Sequence, residues 1–258
     1  MTRVLASLLI TFSLIGCASR SNYHHLYATS VAERHEAERW HDADVFKTDL
    51  KLTFGGNTRL VGTMWYETST GRARIETSDG LTMVWDGETA WVAPEDTQYD
   101  RPRFDILTWP YFLALPYKLR DAGTRIVPAG IGLVHGRKYD AARLTFGEGV
   151  GDSPDDWYII YTSDLQRVEA VAYIVTYGKS GDEARNAEPH AMTYEQYRYI
   201  ERVPVAHRWR FYDWSEADGV HGDPHGEALL TNTAFVETRD ELFERPPNSR
   251  EATMPDAE

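Results

Sequence analysis

The chain has 258 residues, with 27 Lys and Arg against 40 Asp and Glu, a net charge of −13 and a pI near 5.1. No stretch concentrates Lys and Arg, so the basic footprint of a nucleic-acid binder is missing, and a single cysteine excludes an internal disulfide. The 15 Tyr, 8 Trp and 9 Phe favour pleated, half-buried surfaces, and the length suits one large β domain in preference to two small ones.

An apolar run from Val4 to Ile15 follows Arg3. It is shorter than the roughly 20 residues a spanning helix needs, and it has the charged start and small-residue end of a secretory signal. Its close, Leu14-Ile15-Gly16-Cys17, resembles a bacterial lipoprotein signal, in which the cut falls before the cysteine and the thiol carries a diacylglyceryl group. The resemblance implies removal of residues 1–16, a lipid on Cys17 and, over the polar and aperiodic residues 17–27, a tether. Ala18 and Ser19 lack the aspartate that retains lipoproteins of enteric bacteria at the inner membrane, which implies an outer-membrane anchor with the domain facing the periplasm.

Ser30 and Glu33 make a capping-box pattern that predicts a helix over residues 31–40, with Val31, His35 and Arg39 or Trp40 on one face. From Val45 the period becomes two: Leu50, Leu52 and Phe54, then Leu60, Met64 and Tyr66, mark inward positions of two strands. Shorter strands are predicted at 73–77, 81–85 and 89–93, joined by the tight turns Asp79-Gly80 and Asp86-Gly87. The stretch 104–119 is apolar and aromatic, with Pro110 suited to a helix start and Pro116 to its end. A helix apolar nearly all round must be covered on most sides, so it is expected to close or plug a barrel. Further strands are predicted at 139–146, 157–162, 168–176, 192–200, 207–214 and 228–236. Within the third of these, Val168, Ala170, Ala172 and Ile174 lie on one face and Val171, Tyr173 and Val175 on the other, the pattern of a wall covered on both sides. Segments 178–189 and 219–226 read as exposed hairpin loops, and 247–258 as a disordered tail.

This order of elements resembles the LolA/LolB-like superfamily, the outer-membrane lipoprotein-sorting type. Four strings add to the likeness: Trp85-Asp-Gly-Glu-Thr-Ala-Trp91, Phe112-Leu-Ala-Leu-Pro-Tyr-Lys-Leu-Arg-Asp121, Asp155-Asp-Trp-Tyr-Ile-Ile-Tyr161 and Val203-Pro-Val-Ala-His-Arg-Trp-Arg-Phe-Tyr212. They are similar to a branch of bacterial envelope lipoproteins within that superfamily, with the β domain over residues 28–246. The resemblance implies a mainly β fold, a strongly curved antiparallel sheet forming a half-open β-barrel, with an N-terminal helix and a short apolar helix over its concave side. It implies a cavity for acyl chains of a lipid or lipoprotein, and it brings no catalytic motif.

The chemical constellations are weak. His221 and His225, with Asp223 and Glu227, offer zinc-type ligands, but at a loop-like spacing around Pro224, so a metal-dependent hydrolase is only a distant alternative and no metal or other cofactor is assigned. Gly178-Lys179-Ser180 lacks the upstream glycine of a phosphate loop and the spacing of a serine-nucleophile turn. Asp155 and Asp156 are adjacent on a strand and face opposite ways, so they cannot act as paired carboxylates. His35 and His207 read as packed or hydrogen-bonded residues. The expected cavity lining is Leu50, Leu52, Phe54, Met64, Tyr66, Trp109, Phe112, Leu113, Trp209 and Phe211. The function expected is non-catalytic binding of an apolar ligand by a membrane-anchored lipoprotein. The alternative from another class fills the concavity with side chains and makes the protein an envelope assembly or stress-sensing partner of another protein.

Overall fold

The computed structural model describes residues 12–147, 156–179 and 181–254. Residues 1–11 of the expected signal and the lipid-bearing side chain of Cys17 lie outside what is described, as do Asp155, Ser180 and the last four positions of the expected tail.

Two helices come first, α1 (Phe12–Arg34) and α2 (Ala37–Asp42). The expected helix start at Ser30 is replaced by one continuous helix, which also runs through the residues read as a tether. The Ser30 hydroxyl donates to the Leu26 carbonyl, 2.8 Å away, one turn back along the helix instead of capping a new one. Tyr27, Ala28 and Val31 are buried, so packing continues the helix upstream of the capping pattern. The break falls later, at Glu36 in left-handed geometry (φ 54°), and α2 then brings Trp40 inward while Arg39 pairs with Glu36 at the surface.

The first meander is β1 (Val45–Phe54), β2 (Asn57–Glu67), β3 (Ala73–Thr77), β4 (Thr82–Trp85) and β5 (Ala90–Ala93). Its tight turns place Gly80 and Gly87 at φ 94° and 107°, a region open to glycine without a steric penalty. Helix α3 (Pro102–Ala114) and a 3-10 turn (Leu115–Tyr117) follow. The second meander is β6 (Thr124–Val134), β7 (Arg137–Phe146), β8 (Tyr158–Thr162) and β9 (Val168–Ile174). After the short helix α4 (Gly181–Arg185) come β10 (Pro189–Ile200), β11 (Val203–Ser215) and β12 (Gly219–Val236), and β13 (Arg250–Glu251) ends the series.

Among the described residues, thirteen strands form one sheet. Strand β12 is its hinge: the first part pairs with β11, the later part with β1, and residues 226–229 pair with both. A single parallel bridge, Val220 to Val134, links β12 to β6 and closes β6 to β12 into a ring, from which β1 to β5 extend as an open arm. The result is the half-open barrel expected from the resemblance.

The principal core lies on the inner face, beneath the helices, and includes Val31, Trp40, Leu50, Leu52, Met64, Ile160, Trp209 and Phe211. A second, smaller core lies on the opposite face of β6 to β12, built from Ala141, Ile159, Tyr161, Ala170, Ala172, Ala191, Tyr212 and Val220. Alternation along β8 sends Tyr158 and Ile160 inward and Ile159 and Tyr161 outward. The ends of two hairpins fold over the outer face, where the His135 N–H donates to the Val220 carbonyl at 2.9 Å. This is the doubly covered wall read from β9, with one correction. The register slips between Tyr161 paired with Ala170 and Thr162 paired with Val168, so a bulge turns Val168 into the inner core.

Four other expectations change. Strand β6 was not anticipated, because Pro128, Gly130 and Gly132 break its alternation, and it bulges between Pro128 and Gly130. Segment 219–226 is not a loop but the start of β12. The Phe54 ring occupies the space that a side chain at Gly226 would need, so this glycine marks a close approach within a strand. Pro110 lies inside α3, which begins instead at Pro102. The tail folds back: Arg250 and Glu251 pair with Val92 and Trp91, Ala252 is buried, and the Arg245 guanidinium lies 4.3 Å from the Trp91 ring centre. Pairing covers the otherwise open edge of β5, which is why a Pro-rich polar segment is ordered there.

Candidate functional site

Helix α3 positions the candidate site. Pro102 suits its first turn, where a missing N–H costs nothing, and Pro110 removes the bond that residue 110 would make to the Ile106 carbonyl. One side of the helix is latched to the sheet by Asp105, whose side chain is fully buried. Its carboxylate accepts bonds from Arg59 Nη2 at 2.9 and 3.2 Å, from Trp109 Nε1 at 2.8 Å and from the Tyr99 hydroxyl. Burial first, then the neighbouring carboxylate, pushes the Tyr99 phenol above its ordinary pKa, so the hydroxyl keeps the proton it donates.

The other side of α3 roofs a cavity of about 410 Å3. Phe104, Leu107, Tyr111 and Phe112 descend from the helix, while Phe146, Tyr158 and Tyr173 rise from β7, β8 and β9. The rings touch edge-on or at a tilt: Tyr111 and Tyr158 have centres 5.5 Å apart, Phe146 and Tyr158 6.0 Å, and Phe112 and Tyr173 4.9 Å. Tyr66, Thr70 and Trp85 from the first meander complete the wall, with Lys118, Asp121 and Thr124 beyond the 3-10 turn. The volume falls within the roughly 300–1,000 Å3 of small-ligand sites, and an aromatic wall with a few polar groups is their usual chemistry.

The polar groups are specific. Lys118 pairs with Asp121, with the Tyr66 hydroxyl beside it. Burial opposes its charge, but Tyr66 and Asp121 outweigh burial and raise its pKa. Asp156 accepts from the Thr176 N–H and hydroxyl, at 3.2 and 2.6 Å. Burial raises the phenol pKa values of Tyr66, Tyr111, Tyr158 and Tyr173, so all four line the cavity as neutral donors.

Of the ten residues expected to line a cavity, Tyr66 and Phe112 do so. Leu50, Leu52, Met64, Leu113 and Trp209 are buried in the inner core, and Phe54, Trp109 and Phe211 form an aromatic cluster next to the cavity, with Phe54 and Phe211 centres 4.9 Å apart. Sequence reasoning missed Tyr111, Phe146, Tyr158 and Lys118. The inward alternation of β8 and β9 was the available signal, since Tyr158 and Tyr173 are cross-strand partners on the same face.

The histidines sit elsewhere. His35 accepts the Val168 N–H on Nε2 at 3.0 Å, and burial, then Arg34 and Arg167, lower its pKa to about 3. His207 lies between the Val205 carbonyl and the Thr233 hydroxyl, at 3.0 and 2.9 Å. His225 Nδ1 is 3.9 Å from Asp213, while His221 contacts the Gly219 carbonyl. Among the described residues, no group of three or more His, Cys, Asp or Glu side chains is placed to hold a metal ion. Nor is any described helix long and apolar enough to cross a membrane.

No protein-family model and no curated protein matches the sequence. Solved structures match the fold. A LolA superfamily protein from Nitrosomonas europaea is similar over 84% of this chain and 97% of its own, at 11% identity and a TM-score of 0.56. A DUF1329 family protein from Desulfovibrio piger is similar over 84% and 96%, at 10% identity and 0.52. An outer membrane lipoprotein-sorting protein domain from Vibrio parahaemolyticus is similar over 82% and 93%, at 9% identity and 0.51. At these identities the likeness establishes a LolA-like fold.

Proposed function

We propose that this protein binds an apolar chain, the acyl chain of a lipid or lipoprotein, in the cavity under α3, without catalysing a reaction. The observation that supports this reading is the 410 Å3 space held open between α3 and β7 to β9 by aromatic rings, beside the buried inner core. Apolar burial would supply the affinity, at about 0.8 kcal/mol per methylene withdrawn from water. The LolA-like fold is consistent with such a ligand. A lipid on Cys17 would hold the domain at the outer membrane, facing the periplasm, where acyl chains are at hand.

Mass spectrometry of lipids retained by residues 19–258, purified without detergent, tests the cavity. A near-stoichiometric lipid is expected, and Leu107→Trp, which places a large ring in the cavity lining, is expected to abolish retention with the fold intact. An empty domain that also refuses added acyl probes would overturn the reading in favour of a protein partner. The anchor is tested separately: Cys17→Ser is expected to move the protein from the membrane fraction to the soluble fraction.

A further inference from the structure

The buried tyrosines of the inner face divide into two sets. Tyr117, Tyr194 and Tyr197 donate to the carbonyls of Pro204, Phe112 and Val168, at 2.8, 2.7 and 2.7 Å. Tyr111, Tyr158 and Tyr173 line the cavity, and their hydroxyls make no hydrogen bond to the described residues. Tyr158 and Tyr173 are more than nine-tenths buried, at 8% and 7% exposure. The three rings adjoin, with centres 5.5 Å apart for Tyr111 and Tyr158 and 6.3 Å for Tyr158 and Tyr173. Their oxygens open into the cavity, so a ligand that fills it and displaces water leaves three donors in need of an acceptor. Three in one wall of a cavity therefore mark where an acceptor from outside the chain fits.

We infer that the Tyr111, Tyr158 and Tyr173 hydroxyls receive the neutral carbonyl of an acyl ester or amide, so that the site selects acylated molecules over both bare hydrocarbon and free fatty acids. This rests on the reading of the cavity as an acyl-chain site and adds which polar group enters with the chain. A carbonyl drawn into an apolar cavity must find a donor, and donors stripped of water by the entering chain must find an acceptor, so each satisfies the other. Burial keeps all three phenols protonated at neutral pH. An anion is disfavoured because the lining contains two carboxylates, Asp121 and Asp156, against one ammonium, Lys118, and Asp121 already pairs with that ammonium.

Competition binding to the whole chain bearing Cys17→Ser tests the inference, using probes of one chain length: methyl laurate, N-methyl lauramide, laurate and dodecane. The ester and the amide are expected to bind roughly 3- to 10-fold more tightly per hydroxyl engaged than dodecane, and more tightly than laurate. A preference for the ester would indicate an O-acylated lipid, and a preference for the amide an N-acylated protein terminus. The double variant Tyr158→Phe with Tyr173→Phe is expected to bring ester and amide down towards dodecane while leaving dodecane unchanged. Equal binding of ester, amide and dodecane by the unaltered cavity would overturn the inference and leave the acyl-chain reading standing, whatever the variants do. Preference for laurate would overturn it in favour of Lys118 as an anion site. Refusal of all four probes would overturn the acyl-chain reading and this inference together.

Discussion

Two ends of the same inner face are both aromatic and both lie under helices, yet one is filled and the other open. Under α2, Trp40 stacks on Tyr117 with centres 4.1 Å apart and planes 4° from parallel, and Phe46 and Phe235 close around them. Under α3, neighbouring rings meet at tilted angles around the cavity, and Tyr66, which stacks on Trp40 and also lines the cavity, is the wall between the two ends. The difference lies in how the hydroxyls are satisfied and the rings oriented, not in composition. Tyr117 reaches a backbone carbonyl, whereas Tyr158 and Tyr173 line open space.

The largest expected effect breaks the filled end. Trp40→Ala removes a fully buried ring from a close-packed stack and is expected to cost about 3–5 kcal/mol in denaturant unfolding. The same measurement on Asp105→Ala, which unlatches α3 and leaves Arg59 and Trp109 without their acceptor, is expected to show a loss of about 3 kcal/mol. It should also lower acyl-probe affinity, because the roof of the cavity moves.

Acid tests the filled end through His35, which sits between the rings of Tyr117 and Tyr197. Its folded pKa, about 3, lies below the ordinary 6.5, so the unfolded chain binds the extra proton between those values. The stability it protects is therefore complete above about pH 6.5 and falls as pH drops towards 3, by on the order of 3 kcal/mol at pH 4. Replacing His35 with Leu should flatten that part of the unfolding profile; an unchanged slope would place the acid sensitivity elsewhere.

The smallest effects sharpen the comparison most. Tyr117→Phe removes a donor from the Pro204 carbonyl and is expected to cost about 1 kcal/mol. Tyr173→Phe removes an oxygen that satisfies nothing in the chain and is expected to change stability by less than about 0.5 kcal/mol. If the two variants lost equal stability, the distinction between filled and open ends would fail.

Much of the fold was legible because strand alternation is local. Leu50, Leu52 and Met64 point inward as their spacing predicts, and Asp79-Gly80 and Asp86-Gly87 turn where expected. Local signals failed where long-range partners decide. Ser30 looks like a cap until Tyr27 and Ala28 find the core, and Gly226 looks like a loop until the Phe54 ring lies over it. Asp105 is an ordinary acidic residue in sequence, and only the distant Arg59 makes it a latch, 46 positions away along the chain.

The sequence by itself determined a mainly β, single-cysteine chain with a doubly apolar wall and a helix too apolar to stand exposed, because burial patterns repeat with the period of each element. Only the tertiary structure decided which inward rings would touch and which would stand apart. Leu52 and Tyr158 are both inward positions of alternating strands, and one is solid core while the other walls a cavity. An inward position says that a side chain leaves water, whereas empty space is set by the distance between elements remote in sequence, and no local period encodes that distance.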